Sequence, residues 1–559
     1  MRINITSYRE KYGRVSDWLL RFRKGLFAGM IAISAAAMAF GGNGYQAFAA
    51  DDSSVKTGSE TLAVEEVDLS DALQYGGLGT AVNDSEIATL ASSYDTAAFE
   101  ERLINAFREY ETSIDVQDLG ITIDEARNGA ISSIISAHPE IISVSGSSYS
   151  YYPSTGLVAS ISISYYANGQ AEQQELDNAI KAVDSKIDIT GMTDEEIVLA
   201  YHEYLTSTVA YAYEPYLQGT LGSKHEYDMY GALINHSSVC QGYAETMFYF
   251  LKKAGLSCAV ASSKNINHAW NIVKINGKWY HIDATWDDPV WDVPGRSLHK
   301  YFLVSFATMN SLTYSSNGKD RSDMVVGAQW GDTYTSATDT SFESGKFWNG
   351  IEKAIFYRDG YWYSIGMGSS ETIYQITKYR YSTNISQTLY SGTAKWMVSS
   401  SSYYPGQYGA IYIQGSTLYF STPDSLNKID LTASPISAAE VVNIRSKYST
   451  GYNMYALGEQ DGKLVYIVAN TPNIGREQDS TDSTKYNKKY DEYEVDICVS
   501  HTWDAGVVIK SPTYTSTGKK KYTCTNCGET KTDTIDKLVC TNHKWDDGEV
   551  VTPATYKTE

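Results

Sequence analysis

Apolar and polar positions alternate in different rhythms along this chain, and the rhythms divide it. From about residue 86 the period is helical, with Phe99, Leu103, Ile104 and Phe107 forming one stripe. A second helix is expected over 123–137, ending before Pro139; residues 149–166 alternate as strands, and 172–187 return to a helix. Thr193 and Glu196 make a capping box, opening a helix that turns Val198, Tyr201 and Leu205 inward. Cys240 starts another amphipathic run, with Ala244, Met247, Phe248 and Leu251 at helical spacing. Ser237 or Ser238 is placed to cap it and Gly255 to end it. Residues 309–345 are rich in Ser, Thr, Gly and Asp and read as a linker. Strands then dominate: AIFYRDGYWYSI, IYIQGSTLYFS and YALGEQDGKLVYIV are three hairpins whose turns begin at Asp359, Gly415 and Asp461. Separations of 56 and 46 residues suit propeller-like blades, and leave a partial propeller and a sandwich both open.

The chemistry sits in 238–288. The run from His268 to Asp283 has Asn276-Gly277 at its centre, a strong two-residue hairpin signal. If Ile275 pairs with Lys278, Trp270 stands opposite Asp283 and His268 opposite Thr285. His268 and Asp283 are then diagonal neighbours on one face, roughly 7 Å apart at the backbone, within reach of an imidazole–carboxylate hydrogen bond. A slip of one residue would put them on opposite faces. Cys240 falls at a helix N-terminus, where the macrodipole favours the thiolate, and Gly242 leaves room for a close approach there. Singly, each residue reads as an ordinary packed side chain. Together they supply a nucleophile, a base and a carboxylate to orient the base. His202, His225, His236 and His281 are read as packed or exposed histidines, with no metal-ligand spacing among them. Cys258, in an apolar run, is read as a core residue and not as a disulfide partner for Cys240.

The blocks CQGYA and NHAWNIVKINGKWYHIDATWDDP resemble the core of the transglutaminase-like superfamily, the papain-like group with Cys-His-Asp order, and most closely its bacterial secreted branch. The resemblance covers about 193–305. It implies Cys240 as nucleophile, His268 as general base and then acid, Asp283 as orienting carboxylate, and no cofactor for catalysis. Gln241 stands where many animal-type transglutaminases have arginine, so hydrolysis and cross-linking both stay open, and no oxyanion donor is assigned. The implied activity is that of a cysteine acyl-transferase or peptidase acting on peptide or glutamine carbonyls. The competing reading is a non-catalytic surface-binding protein that keeps the fold as scaffold.

The chain opens with a basic stretch, an apolar run over 25–40 and Ala47-Phe48-Ala49, the pattern of a secretory signal. Cleavage there removes seven positive and two negative charges and takes the net charge from −21 to −26. That balance argues against nucleic acid as a partner. No second span long enough to cross a membrane follows. A secreted or cell-surface location makes protein or peptide, including cell-wall peptide, the expected substrate pool. Near the C-terminus, Cys498 and His501, then Cys524 and Cys527, form C-x2-H and C-x2-C knuckles suited to a structural zinc, with disulfide pairing the rival. CVSHTWDAGVV returns 42 residues later as CTNHKWDDGEV. The segment resembles the tandem HTWD…YTCTNCGETKT repeats of clostridial-type exported proteins, which implies an array continuing past residue 559.

The expected organisation is therefore multidomain. A signal peptide (1–49) and linker (50–85) precede an α+β module (86–192) and an α+β papain/transglutaminase-like catalytic domain (193–308). The linker 309–345 leads to an all-β region (346–475). A second linker (476–496) leads to a small, ribbon-like Cys/His repeat (497–536) and a partial second one (537–559).

Overall fold

The computed structural model describes residues 56–57, 60–67, 94–222, 224–290, 292–313, 318–460, 463–472, 474, 488–493, 503–524 and 530–538. The chain forms two units, Met1–Leu62 and Ala63–Glu559. The first contributes a short antiparallel pair, β1 (Lys56–Thr57) and β2 (Glu60–Thr61). The signal-peptide expectation at 1–49 lies outside the described residues.

The second unit is α+β with several sheets. Its first sheet has the order β3-β5-β6-β4, from β3 (Ala63–Val67), β4 (Ser113–Asp115), β5 (Val144–Tyr151) and β6 (Val158–Tyr165). The expected stripe lies on α1 (Thr96–Glu109), where Phe99, Leu103 and Phe107 pack into a core with Ile114, Val144 and Ile161. The single helix expected over 123–137 is two, α2 (Ile123–Arg127) and α3 (Ala130–Ala137). Gly129 between them has φ +92°, outside the helical region, and breaks the run. Helix α4 (Gly169–Lys186) turns Leu176, Ile180 and Val183 into the next core.

That core surrounds an antiparallel sheet of order β12-β11-β10-β9-β13: β9 (Cys258–Ser263), β10 (His268–Ile275), β11 (Lys278–Ile282), β12 (Phe302–Val304) and β13 (Val325–Trp330). Val198, Leu205, Met247, Phe248 and Leu251 of helices α5 (Asp194–Thr208) and α8 (Cys240–Lys253) pack with Val273 and Ile282. Alternate strand residues, among them Ala261, Trp270, Ile272 and Trp279, form a separate cluster. With both faces covered, β9 is buried at every position, which is why it reads as a continuous apolar run. Between α5 and α8 lie β7 (Ala210–Tyr211), α6 (Tyr213–Gln218), α7 (Met229–Leu233) and β8 (Ser237–Ser238).

Two expectations are corrected here. Ser237 and Ser238 do not cap α8; they pair in parallel with β7, and the N-cap is Val239, without a side-chain cap bond. Residues 309–345 are not simply a linker. They complete α10 (Phe306–Leu312), which follows the short α9 (Ala284–Asp287), and supply β13 along the edge of β9, with Val325 opposite Ser262 and Trp330 opposite Cys258. The polar composition misled because this strand is only half-buried.

Beyond it lie two four-stranded antiparallel meanders, β14 (Phe356–Arg358) to β17 (Ile385–Thr393) and β20 (Ile411–Gln414) to β23 (Ala438–Asn443). Their sheets are β14-β15-β16-β17, with β15 (Tyr361–Met367) and β16 (Ile373–Arg380), and β20-β21-β22-β23, with β21 (Thr417–Ser421) and β22 (Ser425–Asp430). The pair β18 (Trp396–Met397) and β19 (Tyr403–Tyr404) sits between them in sequence, and β24 (Asn453–Gln460), β25 (Lys463–Ala469) and β26 (Lys488–Tyr493) form a three-stranded sheet. All three expected hairpins form: Arg358 pairs with Tyr361, Gln414 with Thr417 and Gln460 with Lys463. A last three-stranded sheet comprises β27 (Val507–Lys510), β28 (Gly518–Thr523) and β29 (Thr530–Ile535). Among the described residues no helix is long and apolar enough to cross a membrane.

Helix α5 ties this β-rich region to the core. The expected Thr193–Glu196 capping box is present. Glu196 Oε1 also accepts the indole N–H of Trp362, at 3.0 Å, Glu195 accepts the Tyr381 hydroxyl at 2.8 Å, and Glu203 accepts the Ile355 amide at 2.8 Å.

Candidate functional site

The Asn276-Gly277 turn sets the register. Asn276 (φ 51°) and Gly277 (φ 80°) both take the left-handed conformation of a tight hairpin, Ile275 pairs with Lys278, and Asn271 stands opposite Ile282. Continued one step, this puts Trp270 level with Asp283, as the sequence predicts. Asp283 itself has left the strand and caps α9, its Oδ1 accepting the Trp286 amide at 3.1 Å. Its other oxygen, Oδ2, accepts the Nε2–H of His268 at 2.8 Å. Cys240 is the other side chain, after Asp283, that acts on the His268 ring. With Nε2 engaged by Asp283, Nδ1 is the nitrogen left for the thiol.

Cys240 is the first residue of α8. Gly242 lets the helix start pass close to the preceding loop: a Cβ there would lie 2.7 Å from the Asp228 carbonyl oxygen and collide with the Ser238 hydroxyl. The Asn271 side-chain amide donates to the Ala244 carbonyl at 2.8 Å and fixes α8 on β10. Cys240, His268 and Asp283 are all buried. Cys240 and Cys258 are both free thiols, as expected, and burial pushes the Cys258 thiol up to about 12.

Charge holds the site together. Burial alone disfavours the imidazolium, but Asp283 and then Cys240 outweigh it and raise His268 to about 9. Burial would likewise raise Asp283, yet His268 and Arg321 hold it down at about 2. Arg321 is a residue that reading the sequence missed. Its Nη2 donates to the same Asp283 oxygen at 2.6 Å, its Nε donates to Thr313 at 2.8 Å, and its guanidinium lies 4.4 and 4.5 Å from the rings of Trp270 and Trp286. Both side chains of the Arg321–Asp283 pair are 0 % exposed. His268 lies against the same two indoles. Arg321 comes from the polar 309–345 segment, where no periodicity signalled a buried position. On β7, burial and then Cys240 push the Tyr211 hydroxyl up.

The other histidines have separate roles. His281 accepts the Trp270 indole N–H at 2.9 Å, and burial, then Arg321, push it down to about 3, so it is a neutral packed residue. His225 pairs with Asp228 at 2.9 Å. His202 and His299 meet at Glu203, one donor atom from each of the three lying within 4.8 Å of the others. This is the His/His/Glu group able to hold a metal among the described residues, and it is not where the sequence led one to look. Of the predicted C-terminal ligands, Cys498, His501 and Cys527 lie outside the described residues, and Cys524 is buried in a bridge to Trp503.

Comparison with known proteins gives a partial likeness. Residues 181–284, which include Cys240, His268 and Asp283, match the transglutaminase-like superfamily model. Among solved structures, a protein titled a TGase aligns at 18% identity over 21% of this chain and 32% of its own, with a TM-score of 0.18. A protein titled a putative cysteine protease from Cytophaga hutchinsonii aligns at 17% identity over 25% of this chain and 47% of its own, TM-score 0.14. An endo-arabinase from Bacteroides thetaiotaomicron aligns at 13% identity over 39% of this chain and 86% of its own, TM-score 0.17. The chain thus spans less than half the length of the first two. No curated protein matches the chain.

Proposed function

We propose that Cys240, His268 and Asp283 are the working residues of a cysteine enzyme acting on carboxamide or peptide carbonyls. What supports this is the buried His268–Asp283 hydrogen bond at 2.8 Å, in a site where Cys240 opens the neighbouring helix and acts on the same imidazole. Sγ of Cys240 bonds to the carbonyl carbon while its proton passes to His268. His268 returns that proton to the departing ammonia or amine as the C–N bond breaks, leaving a thioester. An amine then resolves the thioester to an isopeptide bond, or water resolves it to a carboxylic acid, and the thiol is restored. Asp283 keeps Nδ1 of His268 turned to the sulfur and stabilises the imidazolium. Peptide or protein at the cell surface or wall fits an exported chain. In this reading the β-rich region, a partial propeller or a sandwich, and the C-terminal repeats display or anchor the enzyme.

A second reading has support of its own: a surface-binding protein that retains a transglutaminase-like fold as scaffold. The comparisons taken alone favour it, because they reach a fold fragment and no activity. So does the ion pair that Arg321 makes with the carboxylate meant to serve His268. Alkylation of Cys240 by iodoacetamide, compared with His268→Ala, separates the two. The enzyme reading expects labelling of the intact protein to be fast near pH 6 and strongly slowed by the substitution, together with a roughly 10²- to 10⁴-fold loss of amine incorporation or peptide hydrolysis. Cys240 labelling that ignores His268 leaves the scaffold reading.

A further inference from the structure

The group around Glu203 has the donor geometry of a metal site, and none of it takes part in the chemistry above. His202 and Glu203 are consecutive on α5, and His299 arrives from the segment after α9. Nε2 of His202 lies 3.2 Å from Asp287 Oδ2, and Nδ1 of His299 lies 2.8 Å from the Ile351 carbonyl oxygen. Each ring therefore uses one N–H on an outer acceptor, a carboxylate in one case and a backbone carbonyl in the other. This is how metal-bound histidines are held. Their remaining nitrogens, Nδ1 of His202 and Nε2 of His299, both face Glu203 Oε1, at 3.2 and 2.7 Å.

That convergence needs positive charge between the atoms. Two neutral rings would aim lone pairs at a carboxylate oxygen. Two imidazolium rings would also satisfy the oxygen, with Glu203 and Asp287 balancing their charge, but would set like charges beside each other, with ring centroids 5.5 Å apart and both side chains 0 % exposed. One divalent cation meets all three donors. Tetrahedral coordination at about 2.05 Å spaces donors roughly 3.3 Å apart; the His202–Glu203 separation of 3.2 Å matches this, the His299–Glu203 separation of 2.7 Å is shorter, and all three donor atoms lie within 4.8 Å of one another. The carboxylate is steadied from outside as well: Ser297 donates to Oε1 at 3.1 Å and the Ile355 amide to Oε2 at 2.8 Å. Asp287 in turn accepts the amides of Lys300 and Tyr301 at 2.9 and 3.0 Å. His299 also lines a cavity of about 350 Å³ with Lys300, Glu343 and Asn349.

We infer that His202, Glu203 and His299 bind a zinc-type divalent cation, with Asp287 orienting His202. The ion ties α5 to the segment running on from Asp283 and to the first residues of the β-rich region. It stands independently of any catalysis at Cys240.

The test uses the full chain, stripped by chelator and titrated with cobalt(II). The expected result is a set of visible bands from tetrahedral nitrogen and oxygen coordination, lost in His299→Gln and Glu203→Gln. Asp287→Asn should weaken that binding about 10- to 100-fold. His299→Cys should retain the metal and add a thiolate-to-cobalt charge-transfer band beyond the wild-type spectrum, which keeps the test open should His299→Gln fail to fold. Cobalt bound only through sulfur, with a spectrum the same in wild type, His299→Gln and His299→Cys, would place all the metal at cysteines elsewhere and overturn the inference. So would a chain that retains no cobalt.

Discussion

Replacing Arg321 with methionine probes how much the buried charges at the candidate site support the fold. The substitution removes a guanidinium whose Nη2 lies 2.6 Å from Asp283 Oδ2 with both side chains wholly buried. Taking one partner from a buried pair costs about 3–5 kcal/mol, because the other is left uncompensated. Asp283 retains the Nε2–H of His268 and the Trp286 amide, which argues for the lower end. Stacking between Trp270 and Trp286 is also lost, about 2 kcal/mol when desolvated, against which methionine restores about 0.3–1.5 kcal/mol of sulfur–aromatic contact. The net expectation is about 4 kcal/mol, or roughly a thousand-fold in the opening equilibrium. Cys258 reports it well, being a fully buried free thiol on the central sheet whose reactivity requires opening. Its labelling in dilute urea should accelerate roughly a thousand-fold in Arg321→Met. In an Asp283→Asn background the same substitution should cost clearly less, because the charge it answered is gone. A change within about 0.5 kcal/mol, the range of an ordinary surface substitution, would refute the argument.

Gly242→Ala should destabilise by about 1–3 kcal/mol, since its Cβ meets the Asp228 carbonyl oxygen and the Ser238 hydroxyl; an unchanged urea midpoint would contradict this packing. His268, raised to about 9, contributes stability that is fully present below about 6.5 and lost as pH rises through 9. The midpoint difference between wild type and His268→Gln should therefore shrink from pH 7 to 10, and a constant difference would count against the Asp283–His268 pair. Asp283 works in the opposite sense, its contribution present above about 3.9 and lost as pH falls through about 2, so acid destabilisation below pH 4 should be blunted in Asp283→Asn. Trp362→Phe deletes the hydrogen bond to Glu196 and should cost about 1.5–3 kcal/mol, read at Cys258 in the core sheet. If that reporter does not move, the β-rich strand does not support α5.

What the sequence disclosed follows from the range of its signals. The helix from Cys240 and the Asn276-Gly277 hairpin are local patterns, and the hairpin's register carried His268 to within 2.8 Å of Asp283. Gly129 was visible as a residue but not as a break, because the apolar period runs through it. Arg321 and β13 were hidden for a different reason. Their burial comes from partners 38 and 63 to 72 residues away, and nothing in a Ser/Thr/Asp-rich stretch announces such partners. The meeting of His202, Glu203 and His299 was equally out of reach, since 96 residues separate Glu203 from His299 and no short spacing motif links them.

The strand that returns along β9 bears on how such a protein can be cut and recombined. A fragment ending near residue 305, where the family resemblance stops, would leave β9 as an open strand edge, a template for self-association. It would also strand Asp283 without Arg321, and leave Glu203 and Glu196 without the donors of Ile355 and Trp362. The smallest piece exchangeable as a self-sufficient module therefore runs at least through Trp362, well past residue 284, where the match to the superfamily model ends.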